Sequence, residues 1–397
     1  MLDSIYIGMS GLTAYSKGLQ TISNNVANLN TPGFKTSTPR FADMYYGDRF
    51  TQYAPGRSDP TQFGSGVEYG YASLNLAQGD LRASSGPLDL AIKGDGFLTL
   101  LDGNTTRYAR TGQFAADDNG YIADKATGLK LMQLTASGTP APISLAGKQI
   151  SPPSATTTIT FTDNLSSGST DFSIPNVDVY DANGGKHTLS IAFEPDSSVI
   201  PGRWKVTVYD ENKLPIQEGT LQFNGGIPEP GNDTIDFTLT SASAPPLTAK
   251  LDFSSGVTGF SAGSSSTLRV AKKDGYAVGT LSSMNVDEDG QIMLQYSNGQ
   301  TDHLGEVAVA RFSDPQRLKQ MGNGLFDASH APAPQYGISS HDGLGQVIAA
   351  STEASNVDLS TEFGQLILIQ RGFQASSQVV TTANEMIMQL FQMRGQG

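Results

Sequence analysis

Two terminal segments decide the fold, and the first of them reads LDSIYIGMSGLTAYSKGLQTISNNVANL over residues 2–29. Apolar residues recur in it at a seven-residue spacing, which predicts one long helix with a stripe suited to packing against other helices. Thr31-Pro32-Gly33 follows and is expected to end the helix. The residues predicted to pack are Leu2, Ile5, Met9, Leu12, Leu19, Ile22 and Val26.

The far end of the chain mirrors this pattern. Asp358 is a suitable N-cap, with Glu362 in the first turn, and no proline occurs over 359–394. A continuous helix there would be roughly 50 Å long. Its predicted packing residues again recur with a heptad spacing and are Phe363, Leu366, Phe373, Val380, Ile387 and Phe391.

Neither helix has a clean apolar stripe of its own. Ser16 and Ser23 in the first helix, and Gln370, Ser377 and Asn384 in the second, occupy positions of the predicted seams. We therefore expect residues 1–30 and 358–397 to be disordered in an isolated monomer and to order when they pack against other copies. The alternative is that both are ordinary helices packed on a globular core.

The middle of the chain has the pattern of short strands and tight turns. Ile292, Leu294 and Tyr296 alternate with polar residues between two turn signals, and Trp204 begins a similar alternation. Hairpin turns are predicted at Asn119-Gly120, Asn183-Gly184, Asp289-Gly290 and Asn298-Gly299.

Changes in composition near 151–154 and 261–266 predict an inserted domain. The predicted fold is mainly β, with discontinuous β domains, an inserted β-barrel or sandwich domain and a coiled-coil-like inner domain of terminal helices. The predicted bounds are 1–30 with 357–397 for the terminal helices, 31–70 for a connector, 71–150 with 267–356 for a discontinuous β domain, and 151–266 for the insertion.

Charge and cysteine content exclude several classes of protein. The formal net charge is −13, which argues against nucleic acid or an anionic membrane as partner because phosphate binding needs clustered Lys and Arg. The chain has no cysteine, so neither disulfides nor thiolate metal sites can form. No apolar run has membrane-spanning length, and the N-terminal residues lack the pattern of a cleavable signal. Ordinary rules thus predict a cytoplasmic protein, unless a dedicated machine exports it.

Possible catalytic motifs are weak. Residues 259–263 match G-x-S-x-G around Ser261, but the Ser-rich stretch that follows has no helical periodicity, which a nucleophile elbow requires. The four histidines form no metal-binding pair, and the Asp-rich turns lack the downstream Glu of a calcium loop. We predict no catalytic residue, no cofactor and no metal. A serine hydrolase using Ser261 and a secreted β-rich binding module for glycans remain alternatives.

Motifs at both ends resemble the rod-and-hook axial protein family of the bacterial flagellum. They include ISNNVAN at 22–28, TPGFK at 31–35, EASNVDL at 353–359 and QRGFQA at 370–375. The family-motif residues are Asn24, Asn25, Ala27, Asn28, Gly33, Phe34, Asn356, Val357, Asp358, Gln370 and Arg371. Within the family, FADM at 41–44 and DGYAVGTL at 274–281 are similar to hook segments rather than rod segments.

The resemblance implies a non-enzymatic hook subunit that polymerises with itself into a hollow, flexible tube, a universal joint that transmits torque. It further implies an extracellular place in the flagellum, reached by type III export without a cleaved signal peptide. Implied partners are the distal rod, the hook cap, the hook–filament junction proteins and the export apparatus. The first six residues look rod-like, so a distal rod protein remains an alternative.

Overall fold

The protein is mainly β with one long helix at each end, as the sequence predicts. The computed structural model describes residues 2–52, 58–196, 200–240 and 244–395. Helix α1 spans Leu2–Ala27 and helix α2 spans Leu359–Gly395. The predicted N-cap is confirmed, because Asp358 Oδ1 accepts hydrogen bonds from the amides of Ser360 at 2.8 Å and Thr361 at 3.3 Å.

The strands are short and follow one another closely. Up to residue 146 they are β1 (Ser37–Asp43), β2 (Tyr46–Gln52), β3 (Ser58–Gly64), β4 (Val67–Leu74), β5 (Leu81–Ala83), β6 (Asp89–Lys93), β7 (Phe97–Asp102), β8 (Thr105–Ala109), β9 (Thr111–Ala116), β10 (Ile122–Asp124), β11 (Lys130–Leu134) and β12 (Pro140–Pro142). The next are β13 (Ile150–Ser151), β14 (Thr158–Asn164), β15 (Phe172–Tyr180), β16 (Lys186–Pro195), β17 (Arg203–Tyr209), β18 (Pro215–Asn224), β19 (Ile227–Pro228), β20 (Thr234–Leu239), β21 (Leu247–Asp252), β22 (Val257–Thr258) and β23 (Arg269–Lys273). The last are β24 (Gly279–Val286), β25 (Gln291–Tyr296), β26 (Thr301–Glu306), β27 (Val309–Arg311), β28 (Lys319–Gly322), β29 (Leu325–Asp327), β30 (Gln335–Gly337), β31 (Gln346–Ile348) and β32 (Ser351–Glu353), with a 3₁₀ turn at Pro315–Arg317.

The chain divides into two compact units. The first contains the chain up to residue 146, then 284–293, and the part from 303 through α2. The second contains 147–283 and 294–302. It extends past the predicted insertion end at 266 because β23 returns to pair with β14 and therefore completes a sheet of this unit.

The first unit is built on a 12-stranded sheet and the terminal helices. The sheet runs in the order β28-β29-β8-β7-β11-β10-β9-β6-β31, with β12, β27 and β30 attached beside it. An aromatic cluster fills part of its core, where the Phe97 ring lies 5.8 Å from Phe312 and 5.4 Å from Phe326. Edge-to-face arrangements of this kind add to the energy of burial.

The predicted connector at 31–70 contains strands. Within it β1 pairs antiparallel with β4, which begins at Val67, and β2 pairs with β3. The β1–β4 pair packs against α1, where Phe41 lies 5.4 Å from the ring of Tyr15. The contacts that stabilise this pair come from α1, so the sequence of the two strands alone does not indicate them.

The second unit contains a β-sandwich. One sheet has the order β20-β21-β14-β22 with β23 beside β14, and the other is β15-β16-β17-β18-β19. Both contribute to one core, where Phe253 stacks on Phe161 at 4.5 Å and meets Phe193 edge-on at 5.9 Å. The predicted alternation from Trp204 in β17 is confirmed, since Trp204, Val206 and Val208 are all buried.

The predicted hairpin turns are also confirmed. Their glycines have φ of +77° (Gly120), +84° (Gly184), +78° (Gly290) and +78° (Gly299), which favours glycine. Asp117 Oδ1 accepts hydrogen bonds from the amides of Asn119 at 2.9 Å and Tyr121 at 2.7 Å. Asp181 and Asp287 do the same in their turns. The Asp-rich turns are therefore held by the aspartates themselves.

Candidate assembly surface

Helices α1 and α2 approach each other closely along a seam of small residues. A Cβ added at Gly8 would lie 2.6 Å from Val380 Cγ2, and one added at Gly11 would lie 2.5 Å from Ser376 Oγ. Only a hydrogen fits at these two positions, so glycine allows the backbones to come together. The buried residues of α1 are Gly8, Gly11, Ala14, Gly18, Ile22 and Asn25.

The register of the pair leaves the end of α2 uncovered. Gly8 lies against Val380 and Gly18 against Ile369, so the two helices run antiparallel. On this register the start of α1 lies opposite about residue 385, and 386–395 extend beyond it. At ~1.5 Å per residue, this C-terminal overhang (386–395) is about 15 Å long.

Asn25 closes the other end of the seam. Its Nδ2 donates to Glu362 Oε2 at 3.0 Å and to the Ser37 carbonyl at 2.9 Å, and its Oδ1 accepts from the Ser37 amide at 3.0 Å. The side chains of Asn25 and Glu362 are both buried. One amide therefore joins α1, α2 and β1.

A buried carboxylate clamp (Lys35, Arg110 and Glu353) lies where the chain leaves α1 and approaches α2. Lys35 Nζ lies 2.6 Å from Glu353 Oε1, and Arg110 Nε lies 3.0 Å from Glu353 Oε2. The side chains of Lys35 and Glu353 have no exposed surface. A buried group of charges is retained only when every member is paired and hydrogen-bonded.

The remaining polar atoms of the clamp are satisfied by the backbone. Arg110 Nη1 donates to the Gly94 carbonyl at 2.8 Å and Nη2 to the Ile92 carbonyl at 3.0 Å, while Lys35 Nζ also donates to the Ala77 carbonyl at 2.7 Å. Burial lowers the pKa of the Lys35 ammonium from its ordinary value, with Glu353 opposing this effect. The clamp thus binds several separate segments of the first unit together.

Most of the residues predicted to pack between copies are not buried within this chain. Leu2 and Phe391 are the most accessible, with 77% and 69% of their surface exposed. The whole set divides into exposed Leu2, Met9, Phe363, Phe373 and Phe391, half-buried Ile5, Leu12, Leu19, Val26, Leu366, Val380 and Ile387, and buried Ile22. The structure therefore leaves most of this apolar surface available.

The family-motif residues gather mainly at the junction of the helices with the strands. Asn356 Oδ1 accepts from the Thr36 amide at 2.8 Å, and its Nδ2 donates to the carbonyls of Asn75 and Ala77 at 2.8 and 2.9 Å. Gly33 is buried with φ +70°. Of the others, Asn25 is buried, Asn28, Phe34 and Val357 are half-buried, and Asn24, Ala27, Asp358, Gln370 and Arg371 are exposed.

Sequence reasoning missed the glycine seam and the clamp. The signal for the seam was present, since Gly8, Gly11 and Gly18 recur at helical spacing. The clamp had no comparable local signal, because Lys35, Arg110 and Glu353 are far apart in the sequence.

Other kinds of site have little support among the described residues. Within 2–52, 58–196, 200–240 and 244–395, no three His, Cys, Asp or Glu side chains gather as a metal site would require. In the same part of the chain no helix combines the length and hydropathy of a membrane span. Ser261 is exposed between β22 and β23, so a strand follows it where a nucleophile elbow has a helix.

Four family profiles match successive parts of the chain. "Flagella basal body rod protein" matches residues 5–35, and "Flagellar basal body rod FlgEFG protein C-terminal" matches 349–393. "Flagellar hook protein FlgE/F/G D1 domain" matches 91–164, and "Flagellar basal body protein FlaE D2 domain" matches 174–276. The two terminal profiles cover most of both helices and the motifs beside them.

Curated relatives match nearly the full chain. Flagellar hook protein FlgE of Salmonella typhimurium is 30% identical over 420 residues, covering 97% of this chain and 98% of the relative. The protein of the same name from Borreliella burgdorferi is 27% identical, covering 99% of this chain and all of its own. The crystal structure of Helicobacter pylori flagellar hook protein FlgE2 overlaps 67% of this chain with a TM-score of 0.47 and 15% identity.

Proposed function

The chain belongs to the flagellar hook protein FlgE family, and from that premise we propose that its paired terminal helices build the inner wall of a hollow, bendable tube. The protein is a structural subunit of the flagellar hook and polymerises with itself. Head-to-tail contacts whose rotation does not close into a ring generate an open helical polymer.

The observation that carries this proposal is the apolar surface that stays exposed after α1 and α2 have packed against each other. Exposed apolar surface of this extent marks a site of protein association. On α1 it consists of Leu2, Tyr6, Ile7 and Met9, and on α2 of Leu359, Phe363, Ile367, Leu368, Phe373, Val379, Met386, Met388, Leu390, Phe391 and Met393. Sister subunits supply the apolar partners that a single chain lacks.

Such a tube must transmit torque while it bends. Close packing of helices around the channel resists twisting, while bending is taken up by sliding between subunits outside that wall. The charged fraction of the chain is only 16%. A surface with few charged residues suits sliding, because few strong contacts between neighbouring subunits fix one register.

On the same premise we propose the subunit's position in the flagellum and its further partners. The subunit would be exported unfolded, without a cleaved signal peptide, and assembled outside the cell at the end of the distal rod, with the hook cap and the hook–filament junction proteins as neighbours. The lack of cysteine suits this route, since no disulfide would have to open or form. Residues 1–30 and 358–397 would gain full order on assembly.

A distal rod protein is the second candidate, supported by the match of residues 5–35 to the rod profile. The curated relatives that match nearly the whole chain favour the hook. Electron microscopy of the polymer separates the two, because a curved tube supports a hook and a straight tube supports a rod.

Replacement of Phe373 by Asp tests the role of the helices. Phe373→Asp places a charge on the exposed side of α2 and is expected to block polymerisation, measured by sedimentation and electron microscopy, while the strands stay folded by circular dichroism. Leu214, exposed in the turn before β18, supplies the control Leu214→Asp, which should polymerise normally. Normal tubes from Phe373→Asp would contradict helix packing between copies.

A further inference from the structure

A groove lies beside α1, where the helix meets β4 and the end of β1. It has a volume of about 400 Å³. We call it the α1 groove, and it is lined by Tyr6, Met9, Ser10, Thr13, Ala14, Lys17, Met44, Val67, Glu68 and Tyr69. Along α1 it extends for roughly 17 Å.

The groove is built by specific contacts between α1 and β4. The Val67 amide donates to Ser10 Oγ at 3.2 Å, and the hydroxyls of Thr21 and Tyr69 lie 2.9 Å apart. Gly66 has φ +110°, and a Cβ there would collide with Ser10, so glycine lets the strand begin against the helix. These contacts fix the two walls relative to each other.

The lining of the groove is largely apolar yet open to solvent. Tyr6 is 76% exposed and Met9 is 55% exposed, although both lie beside the packed contact of Ser10 with Val67. Methionine and tyrosine suit a surface that adapts to another apolar side chain.

The C-terminal overhang has matching chemistry and length. Met386, Leu390 and Met393 lie at i, i+4 and i+7, which places them on one side of α2, and they are 45%, 50% and 75% exposed. This spacing is the one by which a helix anchors in a groove. The overhang is about 15 Å long, close to the length of the groove along α1.

We infer that the overhang of one subunit docks in the α1 groove of a neighbouring subunit. A chain cannot fill its own groove in this way, because its overhang extends past the start of α1, away from residues 6–17. The inference rests on the proposed function, which supplies a second copy as occupant. It adds which surfaces meet, and it makes the contact head-to-tail, the kind that builds an open helical polymer when its rotation does not close a ring.

Cysteine cross-linking tests this contact directly, since the chain has no cysteine of its own. Full-length Met9→Cys and Leu390→Cys subunits are mixed, polymerised and oxidised. Each variant carries a single cysteine, so a cross-link between the two variants joins two subunits. Thr13→Cys, one turn further along α1, is a second groove position.

The expected result is a cross-linked dimer of the two variants, with a yield several-fold higher than when the control Tyr71→Cys replaces the groove variant. Tyr71 is 66% exposed on β4 but does not line the groove. Polymers in which neither Met9→Cys nor Thr13→Cys exceeds this control would overturn the inference and leave the proposed function standing. A parent chain that forms no polymer would overturn both.

Discussion

Alanine at Gly8 is expected to loosen the pairing of α1 with α2, although alanine favours helices in general. The new methyl group would lie 2.6 Å from Val380 Cγ2 and 3.2 Å from the Ser376 carbonyl oxygen. Val380 is β-branched and stiff about χ1 in a helix, and the carbonyl belongs to the backbone, so neither moves aside easily.

Two opposing effects set the magnitude. Replacing glycine by alanine within a helix gains about 1 kcal/mol. Atoms at normal contact lie ~3.5–4.0 Å apart, so the helices must separate by about 1 Å. Overpacking of this kind costs about 1–3 kcal/mol. The net loss for Gly8→Ala is therefore about 0–2 kcal/mol.

Gly364 offers a matched control on α2. Nothing lies within 4 Å of a Cβ added there, so Gly364→Ala should show the helical gain of about 1 kcal/mol alone. Hydrogen exchange of α1 and α2 amides in the assembled polymer measures the free energy of opening the pair in both variants. The two should differ by about 1–3 kcal/mol. Equal stabilisation by both alanines would refute the close approach at Gly8.

Two further predictions concern buried and hydrogen-bonded carboxylates. Glu353→Gln keeps the shape of the clamp but leaves Lys35 and Arg110 buried without a counter-charge. The free energy of unfolding of the first unit, measured in urea, should therefore fall by about 3–5 kcal/mol. The exposed control Glu385→Gln should change it by under ~0.5 kcal/mol, and a similar effect of both would contradict the clamp. In the second unit, the hydrogen bond from His187 and those from the turn amides hold the pKa of Asp181 below its ordinary value of 3.8. The stability that this carboxylate adds is therefore present above pH 3.8 and is lost as the pH falls through the lower pKa of the folded state. Fluorescence of the single Trp should therefore report acid destabilisation that is shallower in Asp181→Asn, and identical pH profiles would count against this origin.

Features with a local cause could be predicted from the sequence. Asp358 caps α2 because its own carboxylate reaches the next amides. Gly120 and Gly184 lie in turns because glycine readily adopts the positive φ that these turns need. Ile292 and Leu294 are buried because alternation alone places them on one side of β25. Each of these depends on neighbours only a few residues away.

Features that depend on distant contacts were not predicted. The heptad pattern draws attention to large apolar residues, whereas the helices meet at Gly8 and Gly11, whose contribution is to have no side chain. The partners of Glu353 are Lys35 and Arg110, and no spacing rule joins positions so far apart. Which of the exposed apolar residues meet another subunit also depends on the second copy, so that set stays a prediction.

The clamp has a mechanical consequence. The backbone carbonyl of Glu353 accepts from the Gly33 amide at 2.8 Å, so the segment that leads to α2 and the segment that leaves α1 meet where Lys35 and Arg110 bind Glu353. A helix joined to a domain by one flexible segment can rotate about its own axis. The helix pair is joined to the rest of the first unit by two segments that the clamp holds together, so a twist applied to the helices is transmitted through both.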